Sequence, residues 1–182
     1  MERRTALRLI AGGVAAEQLD AAQHHLVTIA RAPGAYKLQF FSPAQNEVVD
    51  RLAEMIIPAD DHSPGAHDAR VSLFIDLMVT NSARSIQEGW LAGLTAVDDE
   101  ARTRFQKPFL KCGAAEQNDI LAAMAVNEQR PGTPLEHFFV RLKSMTVDGY
   151  YTSQVGIHKD LRYKGNTVLA DFPGCTHPGH HT

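Results

Sequence analysis

The chain has 182 residues, of which 44% are hydrophobic and 21% charged. Those values give one globular domain with a core of its own and exclude a disordered chain. A net charge of −3 argues against a basic nucleic-acid face, and no apolar run approaches the roughly 20 residues of a membrane-spanning helix.

Adjacent arginines, Arg3 and Arg4, precede a short, weakly apolar stretch from Leu9 to Ala16. This pattern is that of a twin-arginine export signal, with Val14-Ala15-Ala16 as a small-residue cleavage site. An amphipathic helix that begins with solvated arginines fits the same residues. Glu17 to Ala30 reads as a helix, with Leu19, Ala22, Leu26, Ile29 and Ala30 near one face. Ala32-Pro33-Gly34 then breaks the chain, and the folded domain is expected to begin near Lys37.

Ser42-Pro43-Ala44-Gln45 is a helix start: Ser42 caps, Pro43 suits the first helical position and Gln45 completes a capping box. Val48, Leu52, Met55 and Ile56 form its apolar stripe, and Pro58 stops it. A loop through Asp60-Asp61-His62 leads to a helix expected over Ala66–Thr80, with Val71, Phe74, Ile75 and Met78 on its inner face. A third helix, Ala83–Phe105, carries Ile86, Trp90, Leu91 and Leu94, with Asp98-Asp99 a point where it bends or divides. A fourth runs from Ala114 to about Asn127, with Ile120, Leu121, Met124 and Ala125 inward. Thr133 caps and Pro134 opens a fifth, which carries Leu135, Phe138, Phe139, Leu142 and Met145 to Tyr151. No segment alternates with period two. The expectation is an all-α protein, a compact bundle of four to five helices with a long irregular C-terminal arm. Its divisions are a signal and N-terminal helix over 1–36, a helical domain over 37–152 and the arm over 153–182.

The arm shows no periodicity but holds Ile157, Leu161, Tyr163 and Phe172, so it must pack on something. Tyrosines give large apolar area with a polar tip, a combination enriched at interfaces. Tyr150, Tyr151, Tyr163 and Phe172, with the cations Lys159, Arg162 and Lys164, make the arm a candidate docking segment. Its alternative fate is to wrap its own helices. Two cysteines cannot build a disulfide framework, but Cys112 and Cys175 can pair with each other, or Cys175 with another chain, in an oxidising compartment. Cys112 also suits a buried small hydrophobe.

The sequence has no glycine-rich phosphate loop, dinucleotide fingerprint, nucleophile elbow, H-E-x-x-H or haem-attachment motif. Two stretches carry metal-ligating types: Asp60-Asp61-His62 with His67 and Asp68, and Cys175 with His177 and His180. They define one functional class, a stand-alone metal-binding protein or metal-dependent enzyme.

A second class comes from a resemblance. Phe41-Ser42-Pro43-Ala44-Gln45, Ile56-Ile57-Pro58-Ala59-Asp60, Pro64-Gly65-Ala66 with Val71, Phe74-Ile75-Asp76 and Asp148-Gly149-Tyr150-Tyr151 stand in an order that resembles the gluconate 2-dehydrogenase subunit 3 family. The ending Gly156-Ile157-His158-Lys159-Asp160-Leu161, Tyr163-Lys164-Gly165-Asn166-Thr167 and Phe172-Pro173-Gly174-Cys175 resembles the branch that accompanies glucoside 3-dehydrogenases. The resemblance implies a non-catalytic small subunit with no cofactor of its own. Its implied partners are a large flavoprotein of the glucose-methanol-choline type, which holds FAD, and a cytochrome c that receives the electrons. The implied location is the periplasm, reached by twin-arginine export with the partner, with membrane association through the complex. The implied docking residues include His158 and Asn166 beside those already named.

Overall fold

A computed structural model describes residues 36–165. Arg3, Arg4 and the helix expected over Glu17–Ala30 lie outside the described residues, as do Asn166, Phe172, Cys175, His177 and His180. The described residues form five α-helices and no strand. They are α1 (Pro43–Ile56), α2 (Val71–Thr80), α3 (Arg84–Phe105), α4 (Ala114–Ala125) and α5 (Pro134–Tyr151). A 3-10 turn, Phe109–Lys111, joins α3 to α4, and a π-helical turn, Gly156–Asp160, follows α5.

The starts of α1 and α5 follow from their caps. Ser42 Oγ accepts the Gln45 N–H at 3.3 Å and Gln45 Oε1 accepts the Ser42 N–H at 2.9 Å. Thr133 and Glu136 repeat the exchange at 3.2 and 3.0 Å. Glu136 also accepts from the Gly132 N–H at 2.7 Å and from Asn127 at 2.6 Å, although only 5% exposed. These bonds, the Gly132 N–H first among them, hold its carboxyl below the usual range.

Two element expectations need correcting. α2 begins at Val71, not Ala66, because the Ala66 N–H turns back to the Ile57 carbonyl at 2.9 Å and Arg70 adopts a left-handed backbone, φ 57°. Met78 lies outward, 43% exposed, while Ile75, Leu77 and Val79 are buried. α3 runs its 22 residues unbroken through Asp98-Asp99. Asp98 instead accepts the Phe109 N–H at 3.0 Å, outside the helix, and fixes the 3-10 turn.

α5 is the central element and packs against α1, α2, α3 and α4. Trp90 of α3 sits edge-on between Phe41 and Phe138, at ring distances of 5.8 and 5.3 Å. Gly93 lets α3 close on α5, since a Cβ there would meet the Phe138 ring. Leu52, Ile75, Ile120, Met124 and Leu142 are fully buried around this axis. Each such side chain contributes about 1.5–3 kcal/mol through removal from water.

Candidate docking surface

One end of the bundle gathers the described residues to which the sequence assigned interaction, from Tyr150 to Lys164. α5 ends at Tyr151, and the chain does not become irregular at once. Residues 154–163 fold into a compact hook instead. The Gly156 N–H donates to Ser153 Oγ at 3.0 Å, and that hydroxyl donates to the Tyr150 carbonyl at 2.6 Å. Glycine is required at 156, because a Cβ would run into the Tyr150 carbonyl oxygen. The Leu161 N–H closes the π-helical turn on the Gly156 carbonyl at 2.9 Å, and the Tyr163 N–H bonds to the Ile157 carbonyl at 3.0 Å. Period-based reading misses this element because wide π turns follow no 3.6-residue repeat.

The hook presents its outer face to solvent. Leu161 is 59% and Tyr163 48% exposed, among the exposed His158, Lys159, Arg162 and Lys164. Asp160, the hook's one carboxylate, is turned to the Tyr151 hydroxyl, and that bond raises the tyrosine pKa. Three cations, Lys159, Arg162 and Lys164, against one carboxylate leave this surface net positive. Tyr151 and Val147 continue the apolar surface onto α5, both more than a third exposed.

Tyr150 leaves this surface set. It is 1% exposed, and its hydroxyl contacts Ser63 Oγ at 3.0 Å and donates to the Pro64 carbonyl at 2.7 Å. Its ring belongs to the core, and its hydroxyl pins the loop between α1 and α2 to the base of the hook.

That loop is held by carboxylates. Asp60 accepts the N–H groups of His62 and Ser63, both at 2.8 Å, and these bonds, Ser63's first, lower its pKa. Glu54 accepts the Ala59 and His67 N–H groups at 3.1 and 2.8 Å. His67 Nδ1 lies 2.6 Å from Asp50, which raises the imidazole pKa, and Ser72 donates to the other oxygen of Asp50 at 2.9 Å. This trio is not a nucleophile with its base, because Ser72 bonds to the carboxylate and not to the imidazole. Among the described residues no group of three or more His, Cys, Asp and Glu comes together to hold a metal. Cys112 is buried at the mouth of α4, where burial first, then Glu116, pushes its thiol pKa up. A groove of about 490 Å³ between α1 and α3 has Val48, Leu94, Pro108 and Leu110 on its apolar floor.

Residues 43–173 match the family model described as gluconate 2-dehydrogenase subunit 3, well over half of the chain. The chain belongs to the gluconate 2-dehydrogenase subunit 3 family. No curated protein and no solved structure matches it. Membership is consistent with an accessory subunit of a dehydrogenase complex, in which partner subunits are expected.

The matched span takes in all five helices and the hook. Motif strings that stand apart in the sequence converge in this subunit. Ser63-Pro64 meets Tyr150, Ala66 meets Ile57, Phe74 fills the space left by Gly149, and Asp76 receives Phe40 and Phe41. No helix of the described residues is long and apolar enough to cross a membrane.

Proposed function

We propose that this protein is the non-catalytic small subunit of a periplasmic FAD-dependent sugar dehydrogenase of the glucoside 3-dehydrogenase kind. On this reading it stabilises a large flavoprotein subunit during folding and accompanies it through twin-arginine export. FAD and the hydride chemistry belong to the partner, and a cytochrome c takes the electrons. Family membership supports the accessory role, and the C-terminal resemblance supports the sugar-oxidising branch. The observation that carries the docking reading is the hook. Its apolar residues Leu161 and Tyr163 are exposed among Lys159, Arg162 and Lys164, and its one carboxylate accepts from the Tyr151 hydroxyl. An apolar centre with a charged rim is the anatomy of a protein–protein contact.

The test is co-purification with a large flavoprotein subunit of the glucose-methanol-choline type. Leu161→Asp changes an exposed side chain, so the bundle should melt as before while recovery of the flavoprotein falls at least tenfold. Undiminished co-purification would show that the hook is not the contact. Bound flavin in the isolated small subunit would overturn the division of labour.

A further inference from the structure

Arg162, on the hook, has a left-handed backbone with φ 50°. In that region the Cβ of an L-residue crowds the following carbonyl oxygen, a strain that glycine escapes. Three residues on, Gly165 takes its own positive φ of 94°, with open space where a Cβ would stand. The chain thus uses glycine for a positive φ close by and keeps arginine at 162. Two other described residues share the left-handed backbone without being glycine: Arg70 before α2 and Gln106 after α3, at φ 57° and 58°. Of the three, Arg162 alone stands on the surface proposed for docking.

The hook fixes Arg162 from both sides. The Leu161 N–H bonds to the Gly156 carbonyl at 2.9 Å and the Tyr163 N–H to the Ile157 carbonyl at 3.0 Å, so the residue before and the residue after are both held. Ser153 Oγ anchors the base of the same turn through the Gly156 N–H. Backbone strain persists only where the surroundings over-determine it, and such outliers gather at functional contacts.

The side chain is exposed, and among the described residues no carboxylate pairs with it. Asp160, two residues away, bonds to the Tyr151 hydroxyl. Leu161, directly before it, is 59% exposed. A guanidinium beside exposed apolar surface has the make-up of an interface anchor, a role in which arginine is enriched. Its planar fork grips a carboxylate through two parallel hydrogen bonds, which the point charge of lysine does not reproduce.

We propose that Arg162 is the anchor of the docking hook and takes a carboxylate of the large subunit in a two-bonded pair, which is why arginine stands where the backbone favours glycine. The proposal rests on the docking reading given above and adds the residue and the partner chemistry which that reading leaves open.

The test uses the full chain and a large flavoprotein subunit of the glucose-methanol-choline type, with affinity read by titration calorimetry. Arg162→Gly should leave the Leu161 and Tyr163 amides at least as well protected from hydrogen exchange as in the parent, and should weaken binding about tenfold or more. Arg162→Lys keeps the charge and loses the fork, so it should restore only part of the affinity. If Arg162→Gly binds as the parent does while Leu161→Asp fails to bind, the anchor is overturned and the hook remains the contact. If Leu161→Asp binds as the parent does, the docking reading falls and the proposal with it. Faster exchange in Arg162→Gly would make the residue a structural cap, and undiminished binding by Arg162→Lys would show that no fork is used; either overturns the proposal. So does a loss confined to vesicles of anionic phospholipid, with binding to the flavoprotein intact, because it sets the guanidinium against a membrane.

Discussion

Single polar atoms decide how the docking end is held. Tyr150→Phe removes one hydroxyl and leaves Ser63 Oγ and the Pro64 carbonyl without it in a buried place. Leaving such groups unpaired costs about 1–3 kcal/mol. The expected result is a fall of that size in unfolding free energy by urea titration, with helix content unchanged. His67 acts through charge. Its pKa is raised by Asp50, so its contribution to stability is complete below the unfolded value of about 6.5 and is lost as pH rises through the higher folded value. His67→Gln should therefore lower the melting temperature at about pH 5.5 and leave it unchanged near pH 9. The side chain is 68% exposed, so the effect should be small. None of these partnerships is legible in sequence. Tyr150 and Pro64 stand 86 residues apart, and no spacing rule links them. Aromatic character alone places Tyr150 equally well in an interface or a core.

Helix ends were the most legible elements, because a cap is a local device. Ser42, Pro43 and Gln45 announce α1, and Thr133 with Pro134 announces α5, within a few residues of chain. Inner faces were less legible. The apolar residues of α2 outnumber those that one face can bury, so Met78 fits the stripe and still lies outside. The start of α2 was hidden because Ala66 bonds back to Ile57 across the loop. The hook has no repeat by which sequence could announce it. The cap of α5 also carries a pH signature. Glu136 has a lowered folded pKa, so its contribution is present above about 4.3 and is lost as pH falls through the folded value. Glu136→Gln should lower the melting temperature at neutral pH, and the gap between variant and parent should close in acid.

At the level of the whole molecule, the all-helical class followed from periodicity and the absence of alternation, and the family from the order of short motifs. The surface that the hook offers did not follow. Sequence shows Lys159, Asp160, Arg162 and Lys164 as mixed charge, and only the fold pairs Asp160 with the Tyr151 hydroxyl. If that positive rim steers association, salt should slow it, since the Debye length shrinks from about 10 Å at 0.1 M to about 3 Å at 1 M. Lys159→Glu with Lys164→Glu should reduce the association rate with the proposed flavoprotein partner about tenfold at low salt. The difference should shrink at high salt, while the dissociation rate changes less. Stopped-flow mixing of the separated subunits reads both.

The position of α5 has a consequence in time. The helix that touches all the others is the last of the five to be synthesised. At about 5–20 residues per second, α1 to α4 spend some seconds beyond the ribosome without their common partner. Leu52, Ile75, Ile120 and Met124 cannot be enclosed in that interval. Once Tyr151 emerges the core can close, and the hook follows within about a second. The bundle and the surface proposed for docking are thus completed almost together, and a half-made bundle offers a partner no early handhold.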